Sequence, residues 1–304
     1  MGKVAFVFPG QGAQYAGMGK SLYDKYPAAK AVYDTCGDEE IKTLSFEGRK
    51  EDLIATKIAQ PAIFMAGLAA ALALKERGIS PDGAAGFSLG EIPALAYCFN
   101  LHVADAYKLV CKRAEVMHEC TLQRKGSMTA VLGLPSEAVE KICAEIDGAY
   151  PANYNAPGQI VVSFRPDALD ALKEAVAAAK GKAMPLQVAG AFHSPLMDEA
   201  EAKFRLYLTA FGFPGYTINI PLYANATGKL YSHPKDAEEL LAKQINHPVR
   251  WQATIEQMIA GGYDTFIETG PGKVLTGMIK KIDKHVRTFN VYDEESLETT
   301  VENV

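Results

Sequence analysis

A serine between two glycines is the first pattern in this sequence that could do chemistry. Ser88 lies in GFSLG, after small residues that predict a short strand and before a run that predicts a helix. Gly86 and Gly90 would allow the sharp turn of a nucleophile elbow, which exposes the hydroxyl and leaves the Leu89 amide at a helix N-terminus. The alternative is a serine that caps the helix, with glycines present for packing.

A serine hydroxyl needs a base to act as a nucleophile at neutral pH, so the six histidines are the next candidates. His193 lies in VAGAFHSPLM, a stretch of small and apolar residues in which an exposed charge would be out of place. A lone histidine in such surroundings is more often a core residue, but a candidate nucleophile that needs a base favours His193. The other five have polar, turn-like or charged surroundings: His102, His118, His233, His247 and His285.

Arg113 lies on the predicted helix DAYKLVCKRAEVMHEC. Its neighbours one turn away are Leu109, Val116 and Met117, so the helical period predicts that Arg113 lies on the apolar, inward face. A buried arginine needs a partner, which could be a structural ion pair. The other interpretation is a side chain whose stem is buried while its charged end reaches solvent.

The elements that must position these residues alternate between strand and helix signals. From about Gly126 the order is strand, helix, strand, strand, helix, strand, if PANYN supplies the second strand. This βαββαβ order predicts a small antiparallel sheet under two helices, the ferredoxin-like arrangement. We therefore predict a large α/β domain formed by residues 1–125 and 189–304, with a small α+β domain at 126–188 inserted in it.

Three further elements are predicted from local patterns. A single helix is expected from Tyr23 to Thr35, and another begins at Pro61 and ends before Gly78. A strand is expected across IPLYANA. The apolar segment of the second helix, up to Leu74, is too short to span a bilayer, so we expect no membrane contact.

Composition narrows the function classes. The chain has 304 residues and a net charge of −5, without a Lys/Arg block, so we expect no nucleic-acid partner. Its five cysteines lack a CxxC pair, and the odd count favours reduced thiols in a cytoplasmic protein. No histidine and carboxylate spacing is typical of a metal site, so we predict no metal.

Two phosphate-binding patterns do not fit the N-terminal PGQGAQYAGMGKS. In a dinucleotide fingerprint starting at Gly10, the third glycine would stand where Tyr15 is, and a Walker A motif would need a glycine at Gln14. These glycines are better explained as a loop that approaches Ser88 closely.

Several motifs in chain order resemble those of one enzyme family: VFPGQGAQYAGMG, GFSLGE, KRAEVM, GAFHSPLM and GPGKVLTGMIKKI. The sequence is similar, over most of its length, to malonyl-CoA:acyl-carrier-protein transacylases and the related acyltransferase domains of polyketide synthases. The resemblance implies an α/β-hydrolase-like large domain with an inserted ferredoxin-like subdomain.

The resemblance also implies roles for individual residues. Ser88 would be the nucleophile and His193 its base, held by the main-chain carbonyl of Gln244 instead of a carboxylate. Such a carbonyl fixes the tautomer without adding a negative charge beside an anionic substrate. The oxyanion hole would consist of the backbone N–H groups of Gln11 and Leu89.

Arg113 would bind the free carboxylate of malonate, and Phe192 in the Ala-Phe-His motif favours malonyl over methylmalonyl. Gln60 and Asn155 match family positions near the cleft, with structural roles equally open for both. One departure is Phe87, because the family commonly has histidine before the nucleophile. This change could alter the polarity of the pocket or the acyl preference.

The implied reaction moves a malonyl group from malonyl-CoA to the phosphopantetheine thiol of an acyl carrier protein, with ping-pong kinetics through a malonyl-serine. Coenzyme A is then a substrate, and no bound cofactor is expected. The pathway, fatty-acid or polyketide synthesis, is left open. Two alternatives also stay open: a serine hydrolase or thioesterase that uses the late His285, and a non-catalytic relative that binds carrier proteins.

Overall fold

The computed structural model describes residues 2–188, 190–213 and 215–304. Residue 189, where the predicted second part of the large domain begins, lies outside the described residues. Within the described part the strands are β1 Lys3–Phe8, β2 Gly83–Gly86, β3 Ser127–Leu132, β4 Ala149–Ala156, β5 Gln159–Phe164, β6 Lys182–Pro185, β7 Leu222–Tyr223, β8 Tyr263–Thr269 and β9 Arg287–Val291.

The helices alternate with these strands along the chain. Those described are α1 Lys20–Lys25, α2 Pro27–Cys36, α3 Glu39–Glu47, α4 Thr56–Glu76, α5 Glu91–Phe99, α6 Val103–Gln123, α7 Ser136–Glu145, α8 Leu169–Ala178, α9 Asp198–Phe211, α10 Asp236–Asn246, α11 Trp251–Ala260, α12 Val274–Ile282 and α13 Glu294–Asn303. Short 3₁₀ turns lie at Lys50–Leu53, Ser88–Gly90, Pro166–Ala168 and Pro195–Met197.

Five parallel strands form one sheet in the order β7-β2-β1-β8-β9. β1 is the predicted N-terminal strand, and its last four residues are fully buried, as expected for a parallel strand covered on both faces. Phe8 pairs with Gly86, so the carboxyl ends of β1 and β2 are adjacent. The PGQG loop after β1 is therefore brought beside the turn that contains Ser88.

The predicted βαββαβ segment forms a separate antiparallel sheet in the order β4-β5-β3-β6. PANYN does lie in its second strand, β4. α7 and α8 pack on this sheet, with Val139 and Leu172 in one buried cluster with Val131 and Val162. The mixed α/β class predicted from the sequence is confirmed by these two sheets.

The single helix predicted from Tyr23 to Thr35 is wrong, because the chain forms two helices there. α1 ends at Lys25 and α2 begins at Pro27, with Tyr26 between them in an extended conformation (φ −110°, ψ 117°). Proline disfavours the helical region for the residue before it, which accounts for the break.

α4 begins five residues before the predicted start, at Thr56, so Pro61 lies inside the helix. The proline leaves only the carbonyl of exposed Lys57 without its helical donor, and water can supply that bond. With 21 residues and a mean hydropathy of 1.6, α4 is long and apolar enough to cross a bilayer, so the predicted shortness is wrong. However, 83% of the apolar window is buried inside the protein.

Candidate active site

The turn between β2 and α5 requires glycine on both sides of Ser88. A Cβ at Gly86 would lie 2.0 Å from the backbone of Gly90, and a Cβ at Gly90 would lie 2.1 Å from the carbonyl oxygen of Phe8. Ser88 has a φ of +53°, in the left-handed region that residues other than glycine rarely adopt. Strain of this kind concentrates at functional sites, and here it turns the hydroxyl out of the sheet.

Gly90→Ala is expected to disrupt this turn, because the added methyl group would overlap a backbone oxygen that cannot rotate away. We expect a loss of stability of about 1–3 kcal/mol, which is typical of overpacking, and at least a roughly tenfold slower acylation of Ser88. Thermal unfolding and intact mass after timed mixing with malonyl-CoA, the acyl donor that the sequence resemblance implies, measure the two effects. Gly277→Ala in α12 is the matched control, since nothing lies within 4 Å of its Cβ position; equal behaviour of the two variants would contradict the prediction.

Ser88 and His193, which are 105 residues apart, meet in the structure. The Ser88 Oγ lies 2.8 Å from His193 Nε2, and His193 Nδ1 lies 2.7 Å from the main-chain oxygen of Gln244. That carbonyl can only accept, so Nδ1 carries the proton and Nε2 is free to accept the hydrogen of the serine hydroxyl. His193 also has a positive φ of 57°, and its N–H donates to the carbonyl of Ile245 at 3.0 Å.

Burial and the neighbouring Arg113 charge lower the pKa of His193 to about 3, against the smaller opposing effect of the bond to the Gln244 carbonyl. A lowered pKa means that the neutral imidazole persists as the pH falls through the usual histidine range near 6.5. At neutral pH the imidazole is therefore in the form that can accept a proton.

We expect His193 to remain the neutral Nδ1–H tautomer between pH 8 and pH 5. Nitrogen chemical shifts of ¹⁵N-labelled imidazoles measure this directly, with His193→Gln used to assign the resonance and circular dichroism used to verify folding at each pH. A protonation midpoint of His193 between pH 6 and 7 would contradict the prediction.

Arg113 of α6 is 1% exposed and directs its guanidinium at the serine, consistent with the predicted inward face. Its Nη2 donates to Ser88 Oγ at 3.1 Å and to the side-chain oxygen of Gln244 at 2.7 Å. Its Nη1 donates to Gln60 at 2.7 Å, and Nε lacks a partner among the described residues. Burial lowers the pKa of Arg113 to about 10, so the group is still charged at neutral pH.

No carboxylate of the described chain lies within salt-bridge distance of Arg113. Its nearest acceptors are the neutral amide oxygens of Gln60 and Gln244. Of the alternatives that the sequence left open, the direct ion pair and the exposed charged end therefore do not fit the geometry. A buried guanidinium held beside a nucleophile without a carboxylate partner is suited to an anionic ligand.

A cavity of about 310 Å³ lies against Ser88 and His193, between the two sheets. One wall is the PGQG loop with α12, and the other comes from β3, β4 and β5. The residues that line it are Pro9, Gly10, Gln11, Gly12, Ala13, Gln60, Phe87, Ser88, Met117, Met128, Ala130, Asn153, Asn155, Gln159, Val161, Leu186, Val188, Phe192, His193, Val274, Leu275 and Met278.

The loop that contains Gln11 packs on the turn that contains Ser88. A Cβ at Gly10 would lie 2.7 Å from the carbonyl oxygen of Phe87, so the two backbones are in close contact. Neither the Gln11 nor the Leu89 backbone N–H donates to another described residue. Two unused donors near Ser88 are what an oxyanion hole requires.

Phe192, Asn155 and Gln60 all line the cavity. Phe87 lines it too, and its ring packs on Trp251 in an edge-to-face contact with centroids 5.6 Å apart. Phe87 thus forms an apolar part of the cavity wall, and the Ser88–His193 contact is intact beside it.

The sequence did not predict the role of Asn225, whose side chain binds the backbone of the turn that contains Ser88. Asn225 accepts the Ser88 N–H through Oδ1 at 2.6 Å and donates to the Gly86 carbonyl through Nδ2 at 2.5 Å. The strand predicted across IPLYANA is only Leu222–Tyr223, because the chain turns at Ala224 and frees Asn225 from the sheet. An asparagine at the carboxyl end of a strand was the available signal.

A model of the acyl transferase domain family matches residues 5–297 of the chain. The chain belongs to the acyl transferase family. The resemblance predicted from the motifs is thereby confirmed. A member of this family named malonyl CoA-acyl carrier protein transacylase, from Bacillus subtilis (strain 168), is 40% identical over 314 residues, which cover 100% of the chain and 98% of that protein.

Solved structures of acyl transferase family members agree with the fold. The malonyl CoA-acyl carrier protein transacylase of Clostridium perfringens has a TM-score of 0.93 and 36% identity, covering 99% of the chain and 96% of that protein. A malonyl-transacylase solved in complex with its type II PKS acyl-carrier protein has a TM-score of 0.94 and 32% identity. The match covers 99% of the chain and 100% of that protein. Family members with these names thus share the architecture of two separate sheets.

Proposed function

We propose that the protein is an acyl-carrier-protein S-malonyltransferase, which moves a malonyl group from malonyl-CoA to an acyl carrier protein. The observation that supports this most strongly is the position of Ser88 Oγ, 2.8 Å from His193 Nε2 and 3.1 Å from the Arg113 guanidinium, beside an open cavity. A base and a buried cation on one nucleophile suit an acyl group that carries a free carboxylate. The names of the full-length relatives agree with this activity.

In the first half-reaction, His193 takes the proton of Ser88 as the serine oxygen attacks the thioester carbonyl. The Gln11 and Leu89 amides stabilise the oxyanion, and Arg113 binds the distal carboxylate. The C–S bond then breaks, the proton passes from His193 to the leaving thiolate, and coenzyme A departs. The product is a malonyl ester on Ser88, with Phe192 against the acyl group.

In the second half-reaction the phosphopantetheine thiol of the carrier protein enters the same cavity. His193 takes the thiol proton, the sulfur attacks the ester carbonyl, and the C–O bond to Ser88 breaks as the proton returns to the serine oxygen. Coenzyme A is a substrate in this scheme, and no bound cofactor takes part. Because the acyl-enzyme is obligatory, the kinetics are ping-pong.

The same proposal includes a division of the chain into domains. Residues 1–125 and 189–304 form an α/β-hydrolase-like domain, and 126–188 form a ferredoxin-like subdomain that closes the cavity from one side. The strand order β4-β5-β3-β6 supports the ferredoxin-like assignment, and the parallel sheet with its elbow supports the other. We assign the enzyme to the cytoplasm, where its thiol substrates stay reduced.

Intact-protein mass after brief mixing with malonyl-CoA tests the proposal, with Ser88→Ala as the matched variant. We expect one malonyl group to be added to the wild type, none to the variant, and the adduct to disappear when a carrier protein bearing its phosphopantetheine is added. Release of free malonate without transfer would instead indicate a hydrolase. Absence of both adduct and malonate would instead favour a different acyl substrate or a non-catalytic carrier-protein-binding protein.

A further inference from the structure

Glu91, the first residue of α5, is a fully buried carboxylate behind the nucleophile. Its Oε1 accepts the hydroxyl of Tyr231 at 2.5 Å, and its Oε2 accepts the backbone N–H of Asn225 at 3.2 Å and a hydrogen of the Gln244 side-chain amide. Three donors converge on it, although it does not contact Ser88 Oγ, His193 or the cavity. The reaction scheme above leaves this group without a role.

The Gln244 side chain connects Glu91 to Arg113. Its Nε2 donates both to Glu91 and to the main-chain oxygen of Ser88 at 2.9 Å, so both amide hydrogens are used. Its Oε1 then necessarily faces Arg113 Nη2, which it accepts at 2.7 Å. If the amide turned over, its hydrogens would face the guanidinium and its oxygen would face two acceptors.

Because the site is buried, turning the Gln244 amide over would leave hydrogen-bonding groups without partners, which is unfavourable in free energy. Gln244 and Glu91 are both 0% exposed, so water cannot replace a missing partner of either group. Burial also raises the pKa of Glu91 to about 7, against the hydrogen bonds from Tyr231, Gln244 and Asn225. The carboxyl group is thus charged only part of the time at neutral pH, while its oxygens accept from Gln244 and Asn225 in either form.

We propose that Glu91 is a positioning residue for acyl-group selection: by the reach of its side chain it orients the Gln244 amide, which in turn holds Arg113 where the acyl carboxylate binds. This inference rests on the proposed function, because it assigns Arg113 to the malonyl carboxylate. It predicts that the length of residue 91 matters for malonyl groups and that its charge does not.

Two conservative variants separate length from charge. Glu91→Asp keeps the charge but is one methylene shorter, so it cannot reach both Gln244 and Asn225. Glu91→Gln keeps the length, since its oxygen can accept from Gln244 and Asn225 while its NH₂ donates to the Tyr231 hydroxyl oxygen. We expect Glu91→Asp to lower the ratio of malonyl-CoA to acetyl-CoA acylation rates about tenfold, and Glu91→Gln to keep the ratio at or above the wild-type value.

The rates are measured by intact mass at substrate concentrations far below saturation, with thermal unfolding as a check on folding. A neutral sulfonyl fluoride that labels Ser88 has no carboxylate for Arg113 to bind, and its rate should change little in both variants. Equal loss of malonyl and acetyl acylation in Glu91→Asp, or a low ratio in Glu91→Gln with an unchanged one in Glu91→Asp, would overturn the inference. If the wild type itself forms no malonyl adduct, the proposed function fails first.

Discussion

His193→Ala is expected to slow acylation of Ser88 by malonyl-CoA by roughly 10²–10⁴-fold, the usual contribution of a general base. The variant removes the imidazole whose Nε2 accepts the hydrogen of the Ser88 hydroxyl, and no other histidine of the described residues contacts Ser88 Oγ. It leaves Arg113 and the backbone amides in place, so a slow residual reaction should remain. Single-turnover mixing with malonyl-CoA, followed by intact mass, measures the rate.

His285→Ala is the matched control, because a hydrolase-type order of catalytic residues would use a late histidine. His285 is exposed in the turn between α12 and β9, and its backbone N–H is held by Asp283. We therefore expect His285→Ala to acylate at the wild-type rate. Loss of activity in His285→Ala together with retained activity in His193→Ala would reject the transferase mechanism.

Arg113→Ala should raise the activation free energy of malonyl transfer by about 2–5 kcal/mol. This is the loss expected when one partner of a buried hydrogen-bonded charge pair, here Arg113 and the acyl carboxylate, is removed. This corresponds to a rate of serine acylation that is roughly 30-fold to several thousand-fold lower. Acylation by acetyl-CoA, which lacks the carboxylate, should fall far less. The remaining effect on acetyl transfer comes from the lost hydrogen bond to Ser88 Oγ.

The comparison of the two acyl groups distinguishes carboxylate binding from a general defect. Lys112→Ala is the matched control on the same helix, since Lys112 pairs with Glu115 at the surface, 2.7 Å away. Arg113→Lys keeps the charge but not the paired donors, so it should restore only part of the rate. Equal losses with malonyl-CoA and acetyl-CoA in Arg113→Ala would show that Arg113 does not bind the acyl carboxylate.

Local patterns were enough to predict the parts of this protein that depend on neighbours in the chain. The small residues before Ser88 and the glycines around it specify a strand-to-helix turn, because a side chain at Gly86 would meet the backbone of Gly90 in the turn itself. The periodicity of α6 was enough to turn Arg113 inward. Proline effects were predicted less well: the break at Pro27 was missed, and Pro61 was placed at a helix start that lies farther upstream.

Only the tertiary structure decided which distant groups share the site. The sequence indicated a base for Ser88, but the contact with His193 depends on α10 bringing the Gln244 carbonyl behind the imidazole. The roles of Asn225 and Glu91 could be recognised only from the structure, because Asn225 bonds to Ser88 across 137 residues of the chain and Glu91 bonds to Gln244 across 153. A buried hydrogen-bond network has no sequence period, since its geometry is set by how helices and strands pack and not by the spacing of its members.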